Sequence, residues 1–254
     1  MDDYDIQLDV QGAGDEAVVL VPGMDGTGLL FYRQVPLLAS RHRVATYALR
    51  KTATTMDDLV GDLDRVIDAV DPVGRRAIVV GESFGGALAL SFALARPERV
   101  TALVVLNSFA HFAPQHRLHI AIHGLRAMPW GAMGLVRRAT AFRMHSPHTH
   151  RSEIRRFLAL TARASQAGYI NRLRILTRYD LRERLHELRP PTLFLASERD
   201  HLVPAVSQAR YMSERAPGGV MRILAGHGHV CLIAPDIDLA GIIHEWRSGI
   251  SPGS

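Results

Sequence analysis

The sequence predicts an α/β fold in which helices flank a mostly parallel sheet, with one helical insertion. Short apolar, β-branched runs, typical of strands buried on both faces, alternate with segments of helical periodicity. This alternation stops after residue 106 and resumes at residue 191. Repeated strand–helix units favour right-handed crossovers between parallel strands. The 254 residues are enough for one large domain of this kind.

Five strands are predicted in the first half of the chain, beginning with an edge strand in which apolar and polar residues alternate. The other four are mostly apolar. The predicted strands cover residues 6–10, 17–21, 43–48, 77–80 and 100–106. Apolar periodicity and composition predict helices over residues 29–39, 56–70 and 87–94. Thr54 or Thr55 is the expected N-cap of the second helix.

The second half contains the insertion and the remainder of the sheet. The segment after residue 107 is mostly helical in pattern and rich in arginine and histidine, which predicts a cap over the carboxyl ends of the strands. Strands are then predicted over residues 191–196 and 220–224, and helices over residues 205–214 and 238–247. The predicted organisation is a core domain in two parts, residues 1–107 and 191–254, with a helical cap of residues 108–190.

Composition excludes several classes of protein. No apolar run approaches the roughly 18–20 residues of a membrane span, and residues 1–5 are acidic where a secretory signal is basic. The sequence therefore predicts a cytoplasmic protein without stable membrane insertion. The net charge is +5, but aromatic residues make up only 6% and are not interleaved with the arginines. Nucleic acid is thus not an expected partner.

A candidate nucleophile lies where the strand of residues 77–80 meets a helix. The segment Gly81-Glu82-Ser83-Phe84-Gly85 has the pattern Gly-x-Ser-x-Gly, and between a buried strand and a helix this pattern is typical of a nucleophile elbow. The two glycines remove β-carbons that would collide in so sharp a turn. The helix dipole directs its positive end at Ser83. An ordinary strand-to-helix turn is the alternative.

A serine nucleophile needs a base, and the base needs a third group that fixes its tautomer. Asp200 follows the strand of residues 191–196 and is the predicted acid, with Glu198 on the same loop as the alternative. His229 follows the last predicted strand and is the predicted base, with His227 as the alternative. The apolar residues after His229 favour it, because they would anchor the loop that carries it.

The oxyanion that forms during acyl transfer needs two hydrogen-bond donors. One expected donor is the backbone N–H of Phe84, the residue after the nucleophile. The other is expected in the glycine-rich loop of residues 22–28, where Met24 is the predicted amide. Asp25 is expected to bond the amides of its own loop rather than to react.

Taken together, these motifs resemble the α/β-hydrolase superfamily. The resemblance covers residues 17–246 apart from the cap, and it implies an α/β-hydrolase fold. The loop Pro22-Gly23-Met24-Asp25-Gly26-Thr27-Gly28 resembles, more narrowly, the esterase/lipase/thioesterase group that includes the phytyl ester synthases and related acyltransferases. That group places its histidine in a Gly-His pair followed by small and apolar residues, which supports His229. The chain departs from the group in having no separate acyltransferase domain.

The predicted cap offers candidates for substrate contacts and for a metal. Its large apolar residues either line an acyl pocket or form the core of the cap, and the candidates are Met128, Trp130, Met133 and Phe142. His119 and His123 are spaced i, i+4, as metal ligands on a helix are. No third ligand is suitably spaced, so no metal is predicted, and the triad chemistry needs no cofactor.

The sequence therefore predicts a serine carboxylic-ester hydrolase that acts on a small-molecule ester through an acyl-enzyme. The same triad would also serve an acyltransferase, in which an alcohol replaces water, or a thioesterase. A ligand-binding receptor with an idle triad is the alternative from another class.

Overall fold

The computed structural model describes residues 6–112, 114 and 116–249, except for the side chains of residues 141–143. The acidic segment of residues 1–5 and the side chain of Phe142 lie outside this description. The strands are β1 (Leu8–Gln11), β2 (Ala17–Val21), β3 (Arg43–Tyr47), β4 (Ala77–Glu82), β5 (Val100–Leu106), β6 (Thr192–Ser197) and β7 (Gly219–Leu224).

These strands form one sheet in the order β1-β3-β2-β4-β5-β6-β7. Only β1 is antiparallel to its neighbour, and the other pairs are parallel. The prediction of a mostly parallel sheet flanked by helices is thus confirmed. The edge strand begins at Leu8, two residues later than expected.

The helices of the described residues are α1 (Gln34–Ala39), α2 (Met56–Val70), α3 (Phe84–Ala95), α4 (His116–Ala127), α5 (Met133–Met144), α6 (Arg151–Thr161), α7 (Gln166–Leu176), α8 (Ala205–Ser213) and α9 (Leu239–Ser248). Four of them, α4 to α7, lie between β5 and β6 in the chain, where the sequence predicts the helical cap. The division at residues 107 and 190 stays a prediction.

The core consists of two apolar layers, one on each face of the sheet. Along β4, Ala77 and Val79 point into the layer that also contains α2, α3 and α8, whereas Ile78 and Val80 point into the layer of α1 and α9. Burial of both faces explains why these strands are continuous apolar runs rather than alternating ones. The sheet is therefore a rigid platform for the loops at its carboxyl edge.

The helix predicted over residues 29–39 is wrong as a single element. The structure has a short 3₁₀ turn at Leu29–Phe31, and α1 begins only at Gln34. Pro36 explains the break, because a proline in a helix interior lacks an N–H donor and its ring collides with the carbonyl four residues earlier. Because α1 begins at Gln34, Pro36 lies in its first turn, where a backbone N–H needs no partner within the helix.

The start of α2 is fixed by its sequence. Thr55 rather than Thr54 is the N-cap, and its side chain accepts a hydrogen bond from the amide of Asp58. The Asp58 carboxylate in turn accepts a hydrogen bond from the amide of Thr55, which completes a capping box. The pKa of Asp58 is lowered, because its carboxylate accepts the backbone amides of Thr54 and Thr55, which stabilise the charged form.

No helix among the described residues is long and apolar enough to cross a lipid bilayer.

The strand order places a crevice at the carboxyl ends of β2 and β4. The chain runs from β2 to β3 on one side and then returns to β4 on the other side of β2. Such a reversal separates the loops that leave the two neighbouring strands, and ligands of open α/β sheets bind there. The loop after β2 contains Met24, and the turn after β4 contains Ser83.

Close backbone packing holds the turn after β4 in place. A β-carbon on Gly81 would lie 2.2 Å from the carbonyl oxygen of Gly85, and one on Gly85 would lie 2.2 Å from that of Val21. No side chain fits at such distances, so glycine is required at both positions. The N-terminus of α3 consequently lies directly against the end of β2.

We predict that Gly85→Ala lowers the free energy of unfolding by about 2 kcal/mol or more, because the added methyl must displace strand backbone. Gly61→Ala is the matched control, since nothing lies within 4 Å of its added carbon on α2. This control should raise stability by about 0.4–1 kcal/mol. Urea denaturation of both variants measures the difference. Equal stabilities would show that α3 can move away from β2 without cost.

Candidate active site

Ser83 occupies a strained turn between β4 and α3. Its backbone angles are φ 56° and ψ −121°, in a region that non-glycine residues rarely adopt. A conformation of this kind typically costs about 1–3 kcal/mol. Two hydrogen bonds hold it: the Ser83 amide donates to the carbonyl of Leu106 at 2.9 Å, and the Ser83 carbonyl accepts from Ser108 Oγ at 2.7 Å.

Asp200 lies on the loop after β6 and contacts His229, which lies on the loop after β7. The two side chains are 1% and 5% exposed, and Asp200 Oδ2 is 2.7 Å from His229 Nδ1. The other carboxylate oxygen accepts the amides of Leu202 and Val203 at 2.8 and 3.0 Å. Both oxygens are therefore engaged, which fixes the carboxylate against the imidazole.

Glu198, the alternative acid, faces elsewhere. It is exposed, and its carboxylate accepts the amide of Gly226 at 2.7 Å.

His227, the alternative base, is also held away from Ser83. Its Nδ1 is 2.8 Å from Ser146 Oγ, and its Nε2 is 3.3 Å from a carboxylate oxygen of Asp236. It does not line the cavity that contains Ser83, whereas His229 does. Of the two histidines, only His229 lines the cavity that Ser83 also lines.

The electrostatic surroundings of His229 favour its protonated form. Burial by itself lowers the pKa of His229, but the hydrogen bond and the charge of Asp200, together with the charge of Glu82, raise it above its ordinary value. In the neutral imidazole that donates Nδ1–H to Asp200, Nε2 is the proton acceptor.

The cavity has a volume of about 420 Å³ and is lined mainly by apolar side chains. The sheet loops contribute Met24, Ser83 and His229 to its floor. The segment between β5 and β6 contributes the opposite wall, so the site lies between this segment and the carboxyl edge of the sheet. That wall consists of Met133, Val136, Arg137, Thr140, Met144, Phe157, Thr161 and Tyr169.

The residues predicted to hold an oxyanion lie at the start of α3 and on the loop after β2. Phe84 is the first residue of α3, and the first amides of a helix have no partner within it. Met24 lines the cavity from the loop after β2. Asp25 bonds its own loop, as expected, because its Oδ1 accepts from the Thr27 amide at 2.9 Å and from the Thr27 hydroxyl.

Arg172 supports the Met24 loop from α7 and was not anticipated from sequence. Its side chain is buried and donates from Nε to the Met24 carbonyl at 3.0 Å and from Nη2 to the Asp25 carbonyl at 3.2 Å. Burial lowers the pKa of Arg172 to about 10, which leaves it charged at neutral pH. Nothing in the local sequence distinguishes it from the other arginines of this segment.

Asn107 is a second positioning residue that the sequence did not reveal. It follows β5 with a positive φ of 48° and is buried. Its amide nitrogen donates to the His229 carbonyl at 2.8 Å and to Ser197 Oγ at 2.9 Å, and its oxygen accepts the Ser197 amide at 2.7 Å. One side chain thus ties the ends of β5 and β6 to the backbone of His229.

Of the cap candidates whose side chains the structure describes, Met133 lies in the wall of the cavity, and Met128 and Trp130 do not. Trp130 instead packs near Tyr169 and donates its indole N–H to the Ala164 carbonyl at 3.1 Å. Met128 packs against the core layer of α2 and α3. Both belong to the interior of the helical segment, because the helices α4 to α7 must bury apolar surface of their own.

Glu82 is a buried carboxyl beside Ser83, the predicted nucleophile. Burial raises the pKa of Glu82 from 4.5 to about 7; the charge of His229 opposes this shift, and those of Asp25 and Asp200 add to it. A large part of the Glu82 population is consequently neutral at neutral pH.

Comparison with known sequences identifies the family. The sequence model described as "Alpha/beta hydrolase family" matches residues 18–240. The chain belongs to the alpha/beta hydrolase family. The match spans β2 to the start of α9 and includes the turns that contain Ser83, Asp200 and His229.

Among curated relatives of this alpha/beta hydrolase, a putative carbamate hydrolase RutD of Azorhizobium caulinodans is 28% identical over 219 residues, or 80% of each chain. The protein of the same name from Caulobacter sp. is 29% identical over 241 residues, or 90% of each chain.

Solved structures show the same alpha/beta hydrolase fold. A thermophilic esterase from Thermogutta terrifontis superposes with a TM-score of 0.83 at 21% identity, covering 96% of this chain and 93% of the other. An enol-lactonase from Burkholderia xenovorans gives a TM-score of 0.80 at 18% identity, covering 96% and 95%. The comparisons support hydrolase activity for this alpha/beta hydrolase.

We predict that Glu82→Gln makes stability less dependent on pH. Between pH 4.5 and about 7 the folded state keeps the Glu82 proton that the unfolded chain releases, so stability falls as pH rises through this window. Glutamine does not ionise, so the variant lacks this loss of stability. Relative to the parent, the variant should gain about 2–3 kcal/mol between pH 5 and pH 8.

Urea unfolding at the two pH values measures this gain, and the exposed Glu183→Gln serves as the control. A constant difference between parent and Glu82→Gln would show that Glu82 is ionised throughout.

Proposed function

We propose that this alpha/beta hydrolase is a serine carboxylic-ester hydrolase with Ser83, His229 and Asp200 as its triad. The observation that carries the proposal is the 2.7 Å contact of Asp200 with His229 Nδ1, on the edge of the cavity that Ser83 also lines. An imidazole that donates Nδ1–H to Asp200 keeps Nε2 free to accept a proton, which is what a general base for Ser83 requires.

In the first half of the reaction, Ser83 Oγ attacks the ester carbonyl carbon while His229 Nε2 takes the hydroxyl proton. The charge that develops on His229 is stabilised by the carboxylate of Asp200. Collapse of the tetrahedral intermediate breaks the bond to the alcohol, which leaves with the proton from His229. The acyl group remains on Ser83.

In the second half, His229 takes a proton from water, and the resulting hydroxide attacks the acyl carbon. The acid leaves, and the proton returns to Ser83. The amides of Phe84 and Met24 stabilise the oxyanion in both halves, and loss of one such donor typically costs about 10²–10³ in turnover. Arg172 maintains the Met24 loop through the carbonyls of Met24 and Asp25.

The cavity supports an acyl group of short to medium length. Its volume of about 420 Å³ lies at the lower end of ordinary ligand pockets, and its wall is mainly apolar. Apolar surface favours an acyl chain, because its burial removes hydrocarbon from water. We therefore expect small aliphatic esters to be better substrates than long-chain ones.

We predict that Ser83→Ala abolishes nearly all hydrolysis of 4-nitrophenyl esters, because the nucleophile is removed. Binding and oxyanion effects alone leave about 10³–10⁴ over the uncatalysed rate. The measurement is release of 4-nitrophenol over a series of acyl lengths.

Ser91→Ala is the matched control, since Ser91 lies two turns along α3 and bonds only its own helix at the Ala87 carbonyl. It should retain the parent rate and be labelled by a fluorophosphonate, whereas Ser83→Ala should not. Parent-like turnover in Ser83→Ala would exclude the proposed nucleophile.

A second prediction separates the two histidines. His229→Gln should reduce kcat/KM to the level of Ser83→Ala, whereas His227→Gln should keep most of it, because His227 bonds Ser146 and Asp236 instead. In the parent, activity should fall on the acid side at a pH above 6.5, since only neutral His229 accepts a proton and its pKa is raised.

In Asp200→Asn, the fall of activity on the acid side should occur at a lower pH, and kcat should be lower by about 10⁴. An acid limb that is unchanged in Asp200→Asn would contradict the assignment.

A second candidate substrate class is the carbamates. The two relatives described above carry the name putative carbamate hydrolase and match 80–90% of this chain. A carbamate carbonyl is open to the same attack by Ser83. Turnover of a 4-nitrophenyl carbamate at a higher kcat/KM than the best carboxylic ester would favour this class, with Ser83→Ala again as the control.

A further inference from the structure

His148 meets His227 and Asp236, which lie about 80 residues or more further along the chain, beside the proposed active site. His148 Nε2 is 2.8 Å from Asp236 Oδ1, and His227 Nε2 is 3.3 Å from Asp236 Oδ2. One potential ligand atom from each residue lies within 4.8 Å of the others. The two imidazole rings are perpendicular, with centroids 4.9 Å apart. Two imidazoles and a carboxylate are a ligand set suited to zinc.

The inner histidine is already oriented as a metal ligand. His227 is buried, and its Nδ1 is 2.8 Å from Ser146 Oγ. Metal-binding histidines usually donate their second ring N–H to such a partner, which fixes the tautomer and leaves the other nitrogen for the ion. Here that other nitrogen is Nε2, which faces Asp236.

Distances and exposure are also compatible with an ion. Zinc–ligand bonds of about 2.0–2.2 Å place tetrahedral ligand atoms roughly 3.3–3.5 Å apart, so small rotations of the two outer side chains would suffice. His148 and Asp236 have 44% and 52% of their side-chain surface exposed. An ion thus has access from solvent, and water can complete the coordination.

The position of this cluster connects the helical segment to the loop that carries His229. His148 lies between α5 and α6, and His227 lies two residues before His229. The backbones already meet here, because the Val230 amide donates to the Met144 carbonyl at 2.8 Å and His145 forms a β-bridge with Val230. An ion would add a bond across the same junction.

We propose that His148, His227 and Asp236 bind one divalent transition-metal ion, with zinc as the best fit, and that the ion fastens the helical segment to the His229 loop. Imidazole ligands favour zinc over magnesium or calcium, which prefer oxygen. The site is separate from the ester chemistry and uses neither Ser83 nor Asp200. It departs from the sequence-based prediction of no metal.

The test is a zinc titration of the full-length, metal-free protein with any affinity tag removed. One equivalent should bind and raise Tm by several degrees, because binding to the folded state alone stabilises it. Cobalt(II) should give the visible absorption of a tetrahedral site. His148→Ala and Asp236→Asn, both at exposed positions, should each lower the affinity at least tenfold, and Ser146→Ala by about 10–100-fold.

Two controls separate this site from other binding. His244→Ala removes an exposed histidine on α9, and Ser83→Ala removes the proposed nucleophile; both should bind zinc like the parent. Absence of saturable binding would overturn the proposal, and so would parent-like affinity in both His148→Ala and Asp236→Asn. Neither result would bear on hydrolysis, which the Ser83 variants test independently.

Discussion

The close approach of α3 to the end of β2 is the constraint on which the rest of the site depends. With no side chain at Gly81 and Gly85, the helix begins against the Val21 carbonyl, and Ser83 is forced into its unusual backbone conformation. The same contact brings the first amides of α3 beside the loop that contains Met24. The position of the crevice therefore follows from backbone packing.

Buried polar side chains then fix what the backbone leaves adjustable. The side-chain amide of Asn107 is hydrogen-bonded to β6 and to the His229 carbonyl. Both carboxylate oxygens of Asp200 are also hydrogen-bonded. A buried polar group with all its bonds made resists movement, because any displacement leaves a donor or acceptor without a partner. Movement of these loops would therefore break hydrogen bonds of buried groups and lower the stability of the folded protein.

The sequence is informative where a local pattern determines the structure. Buried strands, the capping box of α2 and the turn at Ser83 each depend on neighbouring residues, and the structure has all of them. Pro36 carries a local signal as well, because its missing N–H and its ring exclude a proline from the interior of a helix. The sequence did not separate His227 from His229 by chemistry. The two histidines differ because Ser146 and Asp236 hold His227, and neither of these residues can be recognised as its partner from the sequence. The support from Arg172 and the cavity wall depend on how separate helices pack, which no local pattern encodes.

The bond from Arg172 to the Met24 loop has a consequence for how such enzymes diversify. Arg172 belongs to α7, yet it holds the carbonyls of a loop that leaves the central sheet. Exchanging the whole helical region for that of a related protein would therefore also remove hydrogen bonds that support a loop of the central sheet. An exchange at these boundaries keeps this support only if the incoming helices place a hydrogen-bond donor at the same point.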